Sequence, residues 1–215
     1  MHRSIAGLTA VLLLASAGTA AAQNPGLPVV NSGVSTGFTL AADVGFPSDD
    51  AGGGTAFGGT GKVGLGPLGI TATVSSWKPD GDERYTSVGG TGNLKIFGGP
   101  LIPFAVTFQA GAGYFKDGSI SNWHFPVGLG LSIKIPTTVI GLKPWVAPRV
   151  DISRQSGGAG GSNTDTHFAF SAGIELNLLS GLGFQAAYDR VSIKGLSPTI
   201  FSVGIHYGLS VPGLP

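Results

Sequence analysis

The stretch Val34-Ser35-Thr36-Gly37-Phe38-Thr39-Leu40-Ala41-Ala42-Asp43-Val44-Gly45-Phe46 sorts onto two faces when alternate residues are taken. Val34, Thr36, Phe38, Leu40, Ala42, Val44 and Phe46 fall on one face, and Ser35, Gly37, Thr39, Ala41, Asp43 and Gly45 on the other. Side chains of an extended chain alternate, so this is a strand with one apolar face and one small or polar face. Later segments repeat the pattern with longer runs. Phe104, Val106, Phe108, Ala110 and Ala112 oppose Ala105, Thr107, Gln109, Gly111 and Gly113; Phe168, Phe170, Ala172, Ile174 and Leu176 oppose His167, Ser171, Gly173 and Glu175. About ten such segments can be marked, ending with Phe201, Val203, Ile205, Tyr207 and Leu209 against Ser202, Gly204 and His206.

Composition tells where the apolar faces point. Only 11% of the 215 residues are charged, against roughly 25% in soluble domains, and mean hydropathy is +0.31. After residue 22 no apolar run is long enough to cross a bilayer as a helix, so the hydrophobicity is spread along the chain, as in a barrel whose alternate residues meet lipid. A net charge of +1 excludes a polybasic nucleic-acid field, and the absence of cysteine excludes disulfides and thiolate chemistry. Glycine, at 38 residues, follows no three-residue period, which excludes collagen.

Met1–Ala22 reads as an export signal: Arg3, an apolar core from Ile5 to Ala17, and Ala20-Ala21-Ala22 before Gln23. The organisation expected is a signal peptide at 1–22, a periplasmic lead-in at 23–33, a transmembrane β-barrel at 34–210 and a tail at 211–215. The connections alternate between short or apolar ones (Gly66 to Gly69, Gly98 to Leu101, Pro136 to Leu142, Leu179 to Gly181) and polar ones (Pro47 to Gly54, Lys78 to Arg84, Lys116 to Ser121, Gln155 to Asp165, Arg190 to Ser197). Short turns at one rim and polar loops at the other fit an all-β, closed, antiparallel up-and-down transmembrane barrel of about ten strands, with eight as the alternative. Trp77, Tyr85, Tyr114, Trp123, Tyr188 and Tyr207 are expected at the membrane interfaces, and Pro148 predicts a bulge or a weak seam.

With its export signal and closing aromatic strand, the chain resembles the small outer-membrane β-barrel domain family of OmpA- and OmpX-like proteins. The most specific match is Ser202-Val203-Gly204-Ile205-His206-Tyr207-Gly208-Leu209, similar to the family's C-terminal assembly signal through Ser202, Gly204, Tyr207 and Leu209. Two features depart from it: members of this group usually have eight strands, and this chain runs on past Leu209 to Pro215. The resemblance implies outer-membrane localisation and, as partners, outer-membrane lipid, the barrel-assembly machinery and periplasmic chaperones. A monomer without nucleic acid is expected.

Gly59-Thr60-Gly61-Lys62-Val63-Gly64 fits the spacing of a dinucleotide motif but sits within a strand pattern with no following helix, so it reads as barrel wall. The inward charges Asp43, Lys62, Lys95, Lys134, Arg149, Asp151 and Glu175 are expected to form a lumen network, because unpaired charge removed from water costs several kcal/mol. Long side chains among them would cross the lumen, while inward Gly111, Gly113, Gly128, Gly130 and Gly173 would leave part of it empty. No cofactor, metal or catalytic residue is assigned. The function expected is non-enzymatic, either a structural and surface-interaction barrel or a narrow small-solute channel. The alternatives are an outer-membrane enzyme with a rim site around His124, Asp151 and His167, in which a His/Asp pair would act as general base, and a secreted soluble β-sandwich.

Overall fold

A computed structural model describes residues 24–99, 102–137, 140–157 and 161–209. The expected export signal and C-terminal tail lie outside the described residues.

The strands are β1 (Gly37–Pro47), β2 (Thr55–Leu65), β3 (Leu68–Lys78), β4 (Tyr85–Phe97), β5 (Phe104–Asp117), β6 (Ile120–Ile133), β7 (Ile135–Pro136), β8 (Ile140–Ser156), β9 (Ser162–Leu178), β10 (Leu182–Ser192) and β11 (Thr199–Leu209). Every pairing is antiparallel, β1 joins both β2 and β11, and β6 joins β8 to close the ring. The two-residue β7 continues β6 beyond Lys134 along the same neighbour β8, so the barrel has ten staves. Closure gives each strand a neighbour on both sides, as a wall facing hydrocarbon requires, although the ladder is interrupted along the β6–β8 seam and at the β4–β5 bulge.

The two-face reading holds along the wall. Leu40, Phe57, Ile70, Val88, Leu129, Phe168 and Ile205 are exposed outward, whereas Ser75, Ser87, Thr107, Gln109, Ser171 and Ser202 are buried inward. This is a soluble protein turned inside out, apolar outside and polar within, and it rules out the soluble sandwich. Outside, Trp123 packs tilted against Tyr114 at a centroid distance of 4.8 Å and stacks with Phe125 at 6.2 Å, and Tyr188 and Tyr207 are exposed as expected of interface aromatics. Trp77 is different. It shares the inward parity of Ser75, is buried, and donates its indole N–H to the Gly53 carbonyl at 3.0 Å. Tyr85 also faces inward, packed between Trp77 and Phe115.

Two expected loops are shorter than the sequence suggested. Lys116 to Ser121 is a tight turn, since pairing runs up to Asp117↔Ile120, and much of Gln155 to Asp165 is ladder, with Gln155↔Asn163 and Ser156↔Ser162 paired. The β8–β9 hairpin therefore runs level with the β5–β6 hairpin, Ser156 lying opposite Ser121, and extends past β10, whose pairing with β9 stops at Ser192↔Phe168. At Pro148 the β6–β8 register does not shift. The ladder passes from Gly128↔Arg149 to Leu131↔Val146 with the two steps between them unpaired, a weak seam and not a bulge.

The largest departure concerns the segment before β1. The sequence reading put it outside the barrel, yet Asn24, Leu27, Val29, Asn31, Ser32 and Val34 are all buried against lumen-facing residues of the wall. A tight turn with Gly26 at φ 78° brackets Asn24 against Leu27 near the loop rim, and from there the chain descends to enter β1 at the turn rim. The first strand accordingly starts at Gly37, three residues later than the alternation suggested.

Candidate functional site

The barrel's interior brings buried polar and charged groups together, and the N-terminal segment runs through it. Its backbone polar groups lack strand partners and must be satisfied by the wall. Near the loop rim, Ser87 Oγ donates to Asn24 Oδ1 at 3.5 Å and Ser75 Oγ to the Pro25 carbonyl at 3.4 Å. Lower down, the Val29 N–H donates to Asp189 Oδ2 at 2.9 Å and Gln109 Nε2 to the Val30 carbonyl at 3.1 Å. Asn31 Nδ2 donates to the Thr107 carbonyl at 3.4 Å, and Ser32 Oγ to Glu175 Oε1 at 2.6 Å.

Inward glycines make room for this segment. The missing side chain at Gly45 admits the Gly26 carbonyl, that at Gly58 admits Leu27, and that at Gly130 admits Asn31, where a Cβ would stand 2.5 Å from the Asn31 side chain. Gly128 is filled by Arg149 and Gly173 by the indole of Trp145. The expectation that Gly128, Gly130 and Gly173 leave empty space is thus corrected: they are sockets.

The charges gather into two clusters. In the upper one, Arg149 forms a forked pair with Asp151 (Nε–Oδ1 2.8 Å, Nη2–Oδ2 2.9 Å), reaches Asp189 Oδ1 at 2.9 Å and donates to Ser171 Oγ. Ser171 Oγ in turn donates to Asp189 Oδ2 at 2.9 Å. In the lower cluster, Glu175 lies 3.3 Å from Lys143 and 3.8 Å from Lys62. Asp43 accepts a hydrogen bond from Gln185 Nε2 at 2.5 Å, and His206 Nε2 shares one with Asn177 at 3.0 Å.

Of the seven charges read from sequence, Lys62, Arg149, Asp151 and Glu175 are in ion pairs, and Asp43 is held by an amide. Lys95 is half-buried and Lys134 is exposed at the turn rim; neither has an ion-pair partner among the described residues. Lys143 and Asp189 complete the clusters and were not in the expected set. Asp189 carried the correct parity in its segment, and extending the alternation of Ala147, Arg149 and Asp151 back by two more inward positions reaches Trp145 and Lys143.

The register does place Asp151 opposite His167, and His124 opposite Ser153. Both Asp151 oxygens, however, are taken by Arg149, and His124 is buried with its ring stacked on Phe115 at 6.0 Å. Among the described residues no group of three or more metal-ligating side chains converges. At the assembly-signal strand, Ser202 faces inward, and Tyr207 and Leu209 face lipid.

Two cavities lie at the turn rim beside residues 32–36, with volumes of about 310 and 520 Å³ and with Ser35, Glu175 and Asn177 bordering both, and a smaller one of about 50 Å³ lies between the N-terminal segment and the wall near Asp43 and Lys62.

No curated protein matches the sequence. Among solved structures, the β domain of the Bordetella autotransporter BrkA aligns with a TM-score of 0.55 at 13% identity, covering 81% of this chain and all of that one. The translocator domain of the autotransporter NalP from Neisseria meningitidis gives a TM-score of 0.46 at 14% identity, covering 95% and 96%. The N-terminal barrel of Pseudomonas aeruginosa OprF gives 0.38 at 12% identity, covering 79% and 96%. At these identities the likeness is one of fold. The model of the outer membrane protein β-barrel domain matches residues 7–208, and with a closed ten-stave wall apolar outside and charged within, the chain belongs to that family of outer-membrane proteins.

Proposed function

We propose that this protein is a non-enzymatic, self-filled outer-membrane barrel, exported behind a cleaved signal at 1–22 and handed to the barrel-assembly machinery. It serves as a structural wall element that presents its polar loops and the adjoining β5–β6 and β8–β9 hairpins outward, and it does not pass solutes in its resting state. The observation that carries this is the N-terminal segment hydrogen-bonded down the lumen from Asn24 to Ser32. Ten strands enclose little more space than the eight-strand barrels that side chains alone can fill, and far less than the 16 to 18 that leave a water channel. Here that extra space is taken by backbone. The non-enzymatic reading is supported by Asp151, whose carboxylate is clamped by Arg149 and so poorly placed to accept a proton from His167 or a substrate.

Planar-bilayer recording of the refolded protein tests this. The unmodified barrel is expected to be silent or to flicker at small conductance, whereas deleting residues 24–34 opens a steady path. Large steady conductance from the unmodified protein would overturn the reading in favour of a channel.

A further inference from the structure

We propose that the larger turn-rim cavity is a binding site for a single-chain anionic amphiphile, a molecule with one hydrocarbon chain and a carboxylate or phosphate head. This goes beyond the structural role above and does not depend on whether the lumen conducts. The cavity, about 520 Å³, lies within the size range of small-molecule sites. One wall is apolar, built from Ile102, Pro103, Ile135 and Leu142; the other carries Lys134 and Lys143.

Charge at this rim is out of balance. Lys62 and Lys143 share the single carboxylate of Glu175, and Lys134 stands apart with no acidic partner among the described residues. The other groups facing the site, Ser35 and Asn177, are neutral, so an anion arriving there meets uncompensated positive charge in a half-enclosed, apolar-walled space.

A second, independent observation concerns access. The β6–β8 ladder is paired at Ser132↔Trp145 and again at Ile135↔Leu142, but not at the two intervening steps, Ile133 with Pro144 and Lys134 with Lys143. Lys134 gives its backbone N–H to the Pro103 carbonyl on the β5 side at 2.6 Å, and Pro144 has none to give. These unpaired steps adjoin the cavity, whose wall residues Ile102 and Ile135 are themselves outwardly exposed beside the lipid-facing Ile133. A chain-bearing molecule in the membrane therefore reaches the lysines without crossing the filled lumen.

The test uses the full barrel refolded into phosphatidylcholine nanodiscs and radiolabelled palmitate as the probe, with empty nanodiscs subtracted. Palmitate is expected to bind saturably at one per barrel. Lys134→Gln should weaken binding about fivefold, the size of one partly exposed ion contact. Gly141→Leu should abolish it: position 141 borders the cavity and a Cβ there meets Asn177 at an ordinary 3.6 Å, so the side chain fills the site without disturbing the wall. Both variants are checked for the folded gel mobility of the unmodified barrel. Absence of saturable binding, unchanged binding by Gly141→Leu, competition by decanol equal to that of unlabelled palmitate, or displacement by inorganic phosphate alone would each overturn the proposal.

Discussion

Replacing Arg149 by Met removes the hub of the upper cluster while keeping a similar unbranched stem. The guanidinium makes three close contacts to two carboxylates, at 2.8, 2.9 and 2.9 Å, and the side chains of Asp151 and Asp189 are 9% and 1% exposed. Without it both acids are left buried beside each other. Removing one partner of a buried ion pair costs about 3–5 kcal/mol. Asp189 retains the Val29 N–H and the Ser171 hydroxyl, which favours the lower end of that range. With a urea slope of about 2 kcal/mol/M, the unfolding midpoint in phospholipid vesicles should fall by about 1.5 M. The combined variant Arg149→Met, Asp151→Asn, Asp189→Asn removes the stranded charges and should recover most of the loss. A single-variant loss under about 1 kcal/mol, or no recovery in the triple variant, would refute the view that these groups form a desolvated network. Arg149→Met should also remain electrically silent, since the N-terminal segment and not this side chain fills the lumen.

Other outcomes follow from the same geometry. Ile174→Arg, on the lipid face between Pro144 and Ala186, should cost about 2–4 kcal/mol in vesicle refolding, whereas Glu175→Gln, one residue on, should act only through Lys143, Lys62 and Ser32; a harmless Arg at 174 would mean the two faces are exchanged. Unboiled protein should run at a different gel mobility from boiled protein and fractionate with outer membranes, and recovery from the soluble periplasm would contradict the barrel. In the loop between β3 and β4, the Tyr85 hydroxyl donating to Asp82 at 2.7 Å holds that carboxyl below its usual range, helped by the Glu83 N–H. Tyr85→Phe should raise the Asp82 midpoint in an NMR titration; because the native carboxyl is depressed, whatever the contact contributes is present at neutral pH and is lost as pH falls through that midpoint.

The wall was legible because a lipid-facing strand leaves no choice of parity. Phe104 to Ala112 and Phe168 to Leu176 can bury their charges only on the other side. The same parity would have turned Trp77 inward, but its indole was assigned by residue type to the interface. Lys143 and Trp145 share the inward parity of Arg149 and Asp151 but sit in a stretch broken by Pro144 and Pro148, where the alternation is hard to follow. The N-terminal segment was not legible at all. Asn24-Pro25-Gly26-Leu27-Pro28 has no period and little charge, and nothing local distinguishes a linker in water from a strand of backbone fed through a tube. What marked it lay elsewhere, in glycines 45, 58 and 130 spaced along separate strands, whose shared purpose appears only once the ring is closed.

The segment that fills the barrel precedes every strand of the wall, and it touches β3, β4 and β5 as well as β9 and β10. β1 meets β11 to finish the ring, so a strand made late closes over residues made early. Order of assembly is thereby constrained: either the segment waits at the centre while the sheet curls around it, or it is drawn in through a rim only about ten strands wide. In the first case it serves as the mandrel on which the wall is wound. A tag or fusion placed ahead of Asn24 would then slow folding more than the same addition after Leu209, although neither lies within a strand.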